Sequence, residues 1–255
     1  MSELLPILRV PKGSVTPYVL TVGDPERAAS VAELLEESRQ VGRYREYWSF
    51  AGSWRGVPLT VTSHGVGGAG AAVAFEELIH GGARTIIRLG TAGSFLPDVR
   101  SGDLLIATGA VRDDGVSERL LPLAYPAVSD LDVTIALRDA ARAQADLRFG
   151  TGILITKANF FSGAVPDQGS VWSQARLAGV EMELATLLVV AGLRGVRAGG
   201  IFTVDGNPSE AATGAEYDPH RPVVEAGKQR MIQVGLDAVT RLAAADRQAN
   251  EGDTR

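Results

Sequence analysis

Short runs of apolar and β-branched residues alternate along this chain with stretches that have helical patterning. The run VPLTVTS at 57–63 is followed by the amphipathic stretch AAVAFEELIHGGA at 71–83 and then by TIIRLG at 85–90. Further on, RAGGIFTVDG at 197–206 leads to a long C-terminal helix predicted at 222–245. This alternation predicts an α/β fold, a single domain with a mixed, largely parallel β-sheet and helices on both faces. Ligands of such sheets bind beyond the carboxyl ends of the strands, so a site is sought there.

The chain length favours one domain rather than two. The 255 residues, of which 45% are hydrophobic and 22% charged, are typical of one sizeable globular domain. The sequence places that domain at 1–246. The last residues, RQANEGDTR at 247–255, have little apolar content and are predicted to form a flexible tail.

Charge and residue content exclude several classes of protein. A net charge of −5 and a pI of about 5.3 argue against nucleic acid as the main partner, although a small-anion site needs only local positive charge. The absence of cysteine excludes disulfides, thiolate catalysis and cysteine-based metal sites, and no metal site is predicted. Neither a secretory leader nor a run of about 18 apolar residues is found. We therefore expect a cytoplasmic protein that does not contact a membrane.

Two strand ends carry arginines in patterns that suit an anion. In VGDPER, Gly23 frees backbone N–H groups at a strand end, and Arg27 lies in the first turn of the next helix. In RLGTAGSF, Arg88 interrupts an apolar strand, where a charge needs a partner, and Thr91 adds a hydroxyl and an N–H. Oriented amides and guanidinium groups bind phosphate. The alternatives are an ordinary turn with a surface Arg27, and a structural ion pair between Arg88 and an internal acid.

The glycine-rich turn SHGVGGAGAA and the aromatic segment GRYREYWSF carry weaker signals. Four glycines between Gly65 and Gly70 allow the backbone to approach a ligand closely, but their spacing is not that of a dinucleotide-binding turn. His64 beside them is typical of a hydrogen-bonded structural histidine and is given no role. Arg45 lies among aromatic residues, where an exposed strand with cation–π contacts is the simplest expectation.

Two carboxylates interrupt an otherwise apolar run in GVEMELATLL at 179–188. Residues two apart on a helix point about 200° away from each other, so Glu181 and Glu183 share one pocket only if the helix begins near Met182. A carboxylate could then accept both vicinal hydroxyls of a ribose, with Met182 as an apolar floor for the sugar. A capping acid combined with a structural ion pair, for example to Arg88, is an equally open alternative.

A further carboxylate stands where a strand meets a turn. Asp205 ends the apolar strand IFTVDG and precedes the turn Gly206-Asn207-Pro208. A carboxyl group that is partly buried has a raised pKa and can act as a general acid near neutral pH. The alternative is that Asp205 caps the turn.

Together these motifs resemble the nucleoside phosphorylase family, which contains uridine phosphorylase and the hexameric purine nucleoside phosphorylases. The resemblance extends from about residue 4 to residue 244 and rests on VGDPERA, SHGVGGAGAAVAFEEL, IIRLGTAGS, VEMELATL and GGIFTVDGNP, in the family's order and spacing. The motifs SHGVG, VEMELATL and VDG are most similar to the corresponding motifs of the apicomplexan purine nucleoside phosphorylases. VRDDGVSERLLPLAYPAVSDLDV at 111–133 is similar to the corresponding stretch of uridine phosphorylases.

The resemblance implies reversible phosphorolysis, in which phosphate attacks C1′ of a nucleoside to give free base and ribose 1-phosphate. It implies no cofactor, with inorganic phosphate as the co-substrate. The implied phosphate-binding residues are Gly23, Arg27, Arg45, Arg88 and Thr91, of which Arg45 reaches into the site of a neighbouring subunit. The implied ribose-binding residues are Val66, Glu181, Met182 and Glu183. The implied base-binding residues are Phe160, which stacks on the base, and Asp205, which protonates N7 of a purine. The implied catalytic residues are Asp205 and Arg88.

A site shared between subunits implies a homo-oligomer, a hexamer built as a trimer of dimers.

Two departures from the family pattern bear on the substrate. Ile7 stands where the family has a histidine that binds the ribose 5′-hydroxyl of a neighbouring site, which makes 5′-modified or 5′-deoxy substrates conceivable. Uridine phosphorylases hold uracil with a Gln and an Arg, and by direct count Ala164 and Pro166 take those places here, with Gln168 nearby.

A purine nucleoside phosphorylase is therefore the first hypothesis, since Asp205 is present and the uracil-binding pair is absent. Uridine phosphorylase is the second. A hydrolytic nucleosidase is disfavoured because Arg27 and Arg88 would then lack an anion. A non-catalytic nucleoside-binding protein would need the sugar-binding residues without phosphorolysis.

Overall fold

The computed structural model describes residues 3–161, 163–164, 168–207 and 217–252. The strands in these ranges are β1 (Tyr18–Val22), β2 (Glu36–Tyr44), β3 (Tyr47–Trp54), β4 (Val57–Ser63), β5 (Thr85–Ser94), β6 (Leu104–Asp113), β7 (Ala127–Val128), β8 (Phe149–Lys157), β9 (Gly179–Glu181) and β10 (Arg197–Gly206). The helices are α1 (Pro25–Ala32), α2 (Gly68–Gly81), α3 (Leu131–Arg142), α4 (Gly169–Gln174), α5 (Leu184–Arg194) and α6 (Pro222–Gly252), with a short 3-10 helix at Ser117–Arg119.

All ten strands belong to one sheet, in the order β10-β6-β8-β9-β5-β1-β4-β3-β2, with β7 paired to β6. Because β10 also pairs with β5, the strands β5, β10, β6, β8 and β9 form a closed ring, and β1, β4, β3 and β2 extend from it. The pairings β1–β4, β1–β5, β5–β10, β6–β8 and β8–β9 are parallel. The pairings β2–β3, β3–β4, β5–β9, β6–β7 and β6–β10 are antiparallel.

The predicted mixed α/β fold is confirmed. Its antiparallel share is larger than the alternation of strands and helices predicts, because β2, β3 and β4 are joined by short turns. Strands connected by such turns pair antiparallel, whereas parallel strands need a longer crossover.

Apolar side chains fill both faces of the sheet. One hydrophobic cluster contains residues of α2 and α5, among them Phe75 and Leu187. The other contains residues of α1, α3 and α6, among them Val31, Leu137 and Val239. Helix α5 is buried along most of its length, which explains why its sequence is apolar on every side.

The C-terminal helix is longer than the sequence predicts. Helix α6 continues to Gly252, so residues 247–252 of the predicted tail at 247–255 are helical, and residues 253–255 lie outside the described part of the chain. Asp246 anchors the helix just before this segment, since it accepts hydrogen bonds from Arg197 and from the hydroxyl of Tyr18. Once a helix is anchored, adding residues to its end costs little, because propagation is easier than nucleation. Among the described helices, none combines the length and apolarity needed to cross a membrane.

Parallel pairing brings the chemistry-bearing strand ends to one edge of the sheet. Val22 at the end of β1 is in register with Ser63 of β4 and with Leu89 of β5. Thr91 of β5 is in register with Thr203 of β10, two residues before Asp205. The motifs that follow these strands therefore meet above the same edge.

Candidate active site

One cavity of about 960 Å³ collects the motifs from the strand ends. Ten predicted site residues line it: Gly23, Arg27, Val66, Arg88, Thr91, Phe160, Glu181, Met182, Glu183 and Asp205. The structure thus brings together every predicted site residue except Arg45.

Arg27 supplies a positive charge at one side of the cavity. It lies in the first turn of α1, whose start is fixed by Asp24, a cap that accepts a hydrogen bond from the Glu26 N–H at 2.9 Å. Burial lowers the pKa of Arg27, and the nearby Arg88 acts in the same direction. Its guanidinium makes no hydrogen bond to any residue that the structure describes. A half-buried cation in this situation favours an anion as its partner.

Arg88 is buried in β5 and is held by three side chains. Its Nε donates to Glu181 at 3.1 Å, one terminal nitrogen donates to Glu183, and the other lies 3.0 Å from Nε2 of His64. The ring of Phe202 lies 5.4 Å from the guanidinium carbon. Since a guanidinium has five N–H donors, two remain for a ligand in the cavity. The ion pair to an internal acid, one of the alternatives from the sequence, is present.

Glu181 connects the structural elements that surround the cavity. It ends β9 and accepts hydrogen bonds from the Thr156 hydroxyl at 2.5 Å and from the N–H groups of Glu183 and Leu184 at 2.9 Å. With Arg88 as a further donor, this buried carboxylate caps the start of α5 and joins it to β5. The ribose contact implied for Glu181 stays a prediction.

Glu183 has a different environment from Glu181. It occupies the cap position of α5, which begins at Leu184, so the two acids do not lie on one regular helix and both border the cavity. One oxygen of Glu183 accepts the N–H of Gly67 at 2.5 Å, and the other accepts Arg88. Burial raises the pKa of Glu183, and Arg88 opposes that shift. Met182, between the acids, is half-buried and lines the cavity.

The glycine-rich turn shapes the wall next to Glu183. Gly67 has a φ of +92°, which points its N–H at the carboxylate and which a side chain would strain. A Cβ on Gly68 would lie 2.5 Å from the hydroxyl oxygen of Thr186 on α5. These glycines therefore permit close packing of α2 against α5 beside the cavity.

His64 lies at the end of β4, fully buried. Its Nδ1 is 2.9 Å from the carbonyl oxygen of Gly65, and its ring packs edge-on against Phe75 at 5.4 Å. Burial, followed by the charge of Arg88, lowers its pKa well below the ordinary value. No role was predicted for His64, and the structure places it in contact with Arg88.

Asp205 brings a buried carboxyl group to the cavity. Burial raises its pKa, while hydrogen bonds from Tyr217 and Thr91 act in the other direction. The Tyr217 hydroxyl donates to Asp205 at 3.0 Å. The alternative role of Asp205, a cap of the turn Gly206-Asn207-Pro208, stays a prediction, because Pro208 lies outside the described residues.

Aromatic side chains border the open side of the cavity. Phe160 is 61% exposed, and its ring lies 5.0 Å from that of Phe161 and 5.9 Å from that of Tyr217. Tyr217 was missed by sequence reasoning, because no local pattern links it to Asp205 across residues 208–216. Other lining residues that were missed are Lys157, Asn159 and Arg221, whereas Asn207 stood in the motif of Asp205 without a role.

Arg45, Ile7 and Ala164 do not line the cavity. Arg45 is exposed at the turn between β2 and β3, 5.2 Å from the ring of Tyr44. The expected cation–π contact is present. Ile7 donates its N–H to Glu77. Ala164 is exposed, and Pro166 lies outside the described residues. In the described chain, no group of three or more His, Asp or Glu residues is arranged to hold a metal ion.

Comparison with known proteins decides the family of the chain. The sequence model of a family described as the phosphorylase superfamily matches residues 17–241. The chain belongs to the phosphorylase superfamily. Relatives that are about equally similar to this chain differ in the base that their names specify.

Two relatives and one solved structure show this difference in the named base. A uridine phosphorylase of Thermococcus kodakarensis is 36% identical over 255 residues, covering 95% of this chain and 88% of its own. A purine nucleoside phosphorylase of Plasmodium falciparum is 38% identical over 245 residues, covering 95% and 98%. The crystal structure of a Toxoplasma gondii purine nucleoside phosphorylase in complex with immucillin-H superposes with a TM-score of 0.89 at 34% identity, covering 95% and 97%. Similarity to this phosphorylase superfamily therefore supports nucleoside phosphorylase chemistry but does not identify the base of the substrate.

Proposed function

We propose that this protein is a nucleoside phosphorylase that cleaves purine ribonucleosides with inorganic phosphate, giving free base and ribose 1-phosphate. The observation that carries the proposal is the single cavity in which Arg27 and Arg88, the Glu183 carboxylate and the buried Asp205 meet. An anion site, a diol acceptor and a general acid are the three parts that this reaction requires.

The anion site is assigned to phosphate. Arg27 has no hydrogen-bond partner among the described residues, and Arg88 keeps two free N–H donors. A phosphate held by both is placed to attack C1′, where an oxygen–carbon bond forms as the bond from C1′ to the base breaks. Positive charge develops at C1′ in this transition state, and the phosphate dianion stabilises it. Inorganic phosphate is the co-substrate, and the proposal needs no other cofactor.

The sugar is assigned to Glu183. A carboxylate has about four acceptor positions, and Gly67 and Arg88 occupy one on each oxygen. The remaining positions can accept the 2′ and 3′ hydroxyls of a ribose. Met182 and Val66 supply apolar contacts to the sugar. Since Glu181 already accepts Arg88, Thr156 and the start of α5, its contribution is to hold this arrangement in place.

The base is assigned to the side of Phe160 and Asp205. When the bond at C1′ breaks, its electrons go to the base, and a protonated Asp205 can neutralise the leaving purine at N7. The raised pKa of Asp205 favours the protonated form that this step needs. Uracil has no N7, so this observation supports a purine. Uridine phosphorylase is the second candidate, supported by the 36% identity to the Thermococcus enzyme.

The full site is proposed to form in a homo-hexamer built as a trimer of dimers. Arg45 is exposed on the β2–β3 turn and does not line the cavity of its own subunit. In an oligomer it could reach the phosphate in the cavity of a neighbouring subunit. Sedimentation should show an active oligomer. A fully active monomer would contradict the shared site.

A panel of nucleosides tests the proposed function. Inosine, guanosine, adenosine and uridine are each incubated with the protein, with and without phosphate, and base release is measured. We expect release that depends on phosphate and that is faster for a purine than for uridine. Equal release without phosphate would indicate a hydrolytic nucleosidase, and no release from any nucleoside would leave only binding.

A further inference from the structure

His64 is the buried side chain beside the anion site that the proposed reaction leaves without a role. It is 0% exposed, and both ring nitrogens have partners, Nδ1 at 2.9 Å from the Gly65 carbonyl oxygen and Nε2 at 3.0 Å from Arg88. A histidine that only filled space would not need a polar partner on each side.

The identity of the two partners fixes the protonation state of the ring. A carbonyl oxygen can only accept a hydrogen bond, so Nδ1 of His64 carries the hydrogen. A guanidinium N–H can only donate, so Nε2 presents its lone pair to Arg88. His64 is therefore the neutral Nδ1–H tautomer, because a proton on Nε2 would point at the donor of Arg88.

This acceptor completes the support of the Arg88 guanidinium. Glu181 from β9, Glu183 from the start of α5 and His64 from the end of β4 each bind a different nitrogen. Three contacts from three elements fix the plane of the guanidinium and its rotation about the side chain. The two acids compensate its charge, whereas the histidine adds an acceptor and no charge.

We propose that His64 is a positioning residue of the anion site, whose neutral Nε2 orients Arg88 so that the two remaining N–H groups face the phosphate. The inference rests on the proposed function. The charged groups that act on the ring are Arg88 from β5 and Arg27 from α1, and with burial they lower its pKa. Protonation of His64 is thus opposed by the same cations that bind the anion.

A pair of substitutions separates positioning from packing. His64→Leu removes the acceptor and keeps an apolar side chain, so one buried donor of Arg88 loses its partner. We expect the KM for phosphate to rise roughly tenfold while the KM for the nucleoside stays the same. His64→Gln offers an amide oxygen near the position of Nε2 and should restore most of the affinity for phosphate. An equal effect of both variants on both KM values, or an unchanged phosphate KM in His64→Leu, would overturn the inference.

The tautomer can be measured on the wild type without any variant. The chain has three histidines, of which His64 is buried whereas His80 and His220 are exposed, and their nitrogen NMR signals report the tautomer of each ring. We expect the Nδ1–H pattern for His64 from about pH 5 to about pH 8. An imidazolium or the Nε2–H tautomer in this range would overturn the inference even if His64→Leu failed to fold.

Different results would contradict the role of His64 and the proposed function. If the wild type cleaves nucleosides only with phosphate and His64→Leu keeps the wild-type KM for phosphate, the role of His64 is wrong and the function stands. If the wild type shows no dependence on phosphate, the proposed function is wrong, and the role of His64 falls with it.

Discussion

Replacing Arg88 and Arg27 by methionine, one at a time, tests how the anion site is built. Methionine keeps an unbranched stem of similar reach and removes the charge. The structure predicts that both variants lose phosphate affinity and that only Arg88→Met loses stability. The difference arises because Arg88 has three buried hydrogen-bond partners, whereas Arg27 makes no hydrogen bond to any described residue.

The loss of stability follows from burial. The side chains of Arg88, Glu181 and Glu183 are 5%, 0% and 5% exposed, so Arg88→Met leaves two acids buried without their cation. Breaking a buried ion pair in this way costs about 3–5 kcal/mol. For a protein of this size each kcal/mol lowers Tm by about 2–4 °C, so a fall of roughly 6–20 °C is expected. Arg27→Met should leave the free energy of unfolding within about 0.5 kcal/mol of the wild type.

The stability lost in Arg88→Met should depend on pH. Burial raises the pKa of Glu183 above 4.5 and Arg88 opposes this, so Arg88→Met should raise it further. A carboxyl with a higher pKa in the folded protein stabilises it below the ordinary pKa, and this contribution is lost as the pH rises. The difference in unfolding free energy between wild type and Arg88→Met should therefore grow from about pH 5 to about pH 8.

The assays are thermal unfolding at several pH values and steady-state kinetics with varied phosphate. Truncating one partner of a charged contact costs about 2–5 kcal/mol, which is about 30-fold to several thousand-fold in phosphate affinity. Two results would refute this account of the site. One is an Arg27→Met variant that is as unstable as Arg88→Met. The other is an Arg88→Met variant that folds and keeps the wild-type KM for phosphate.

Three further predictions follow from single contacts. Asp205→Asn should lower kcat/KM for inosine by roughly 10²–10⁴-fold and for uridine much less, and an equal loss on both nucleosides would make Asp205 structural. Tyr217→Phe removes a hydrogen bond that lowers the pKa of Asp205, so the alkaline limb of the inosine pH–rate profile should move to higher pH, and a shift to lower pH would contradict this. Asp246→Asn weakens the contacts of α6 with Arg197 and Tyr18 and should cost about 1 kcal/mol in urea unfolding, and no change would show that they do not anchor the helix.

The convergence of the site could be predicted from the sequence for a physical reason. Gly23 and Asp205 each follow or end an apolar run, and parallel strands place such positions at one edge of a sheet. Knowing that the strands alternate with helices was therefore enough to expect one pocket. The site residues that strand periodicity identifies are those at strand ends.

The division of roles between the two acids could not be predicted in this way. Whether Glu181 or Glu183 faces a ligand depends on where β9 ends and α5 begins, and a difference of one or two residues reverses the outcome. Tyr217 was missed for another reason, since its contact with Asp205 spans 12 positions of the chain and leaves no periodic signal. His64 belongs to a recognisable glycine-rich motif, but no pattern in the sequence places it beside Arg88.

Formation of ribose 1-phosphate, followed by ³¹P NMR, tests the central claim most directly, namely that one cavity transfers a ribosyl group from a purine to phosphate. The protein is mixed with inosine and inorganic phosphate, and the phosphate signal is recorded together with the release of hypoxanthine. The account predicts one ribose 1-phosphate for each base released and loss of both products in Arg27→Met. Base release with no new phosphorus signal would contradict it.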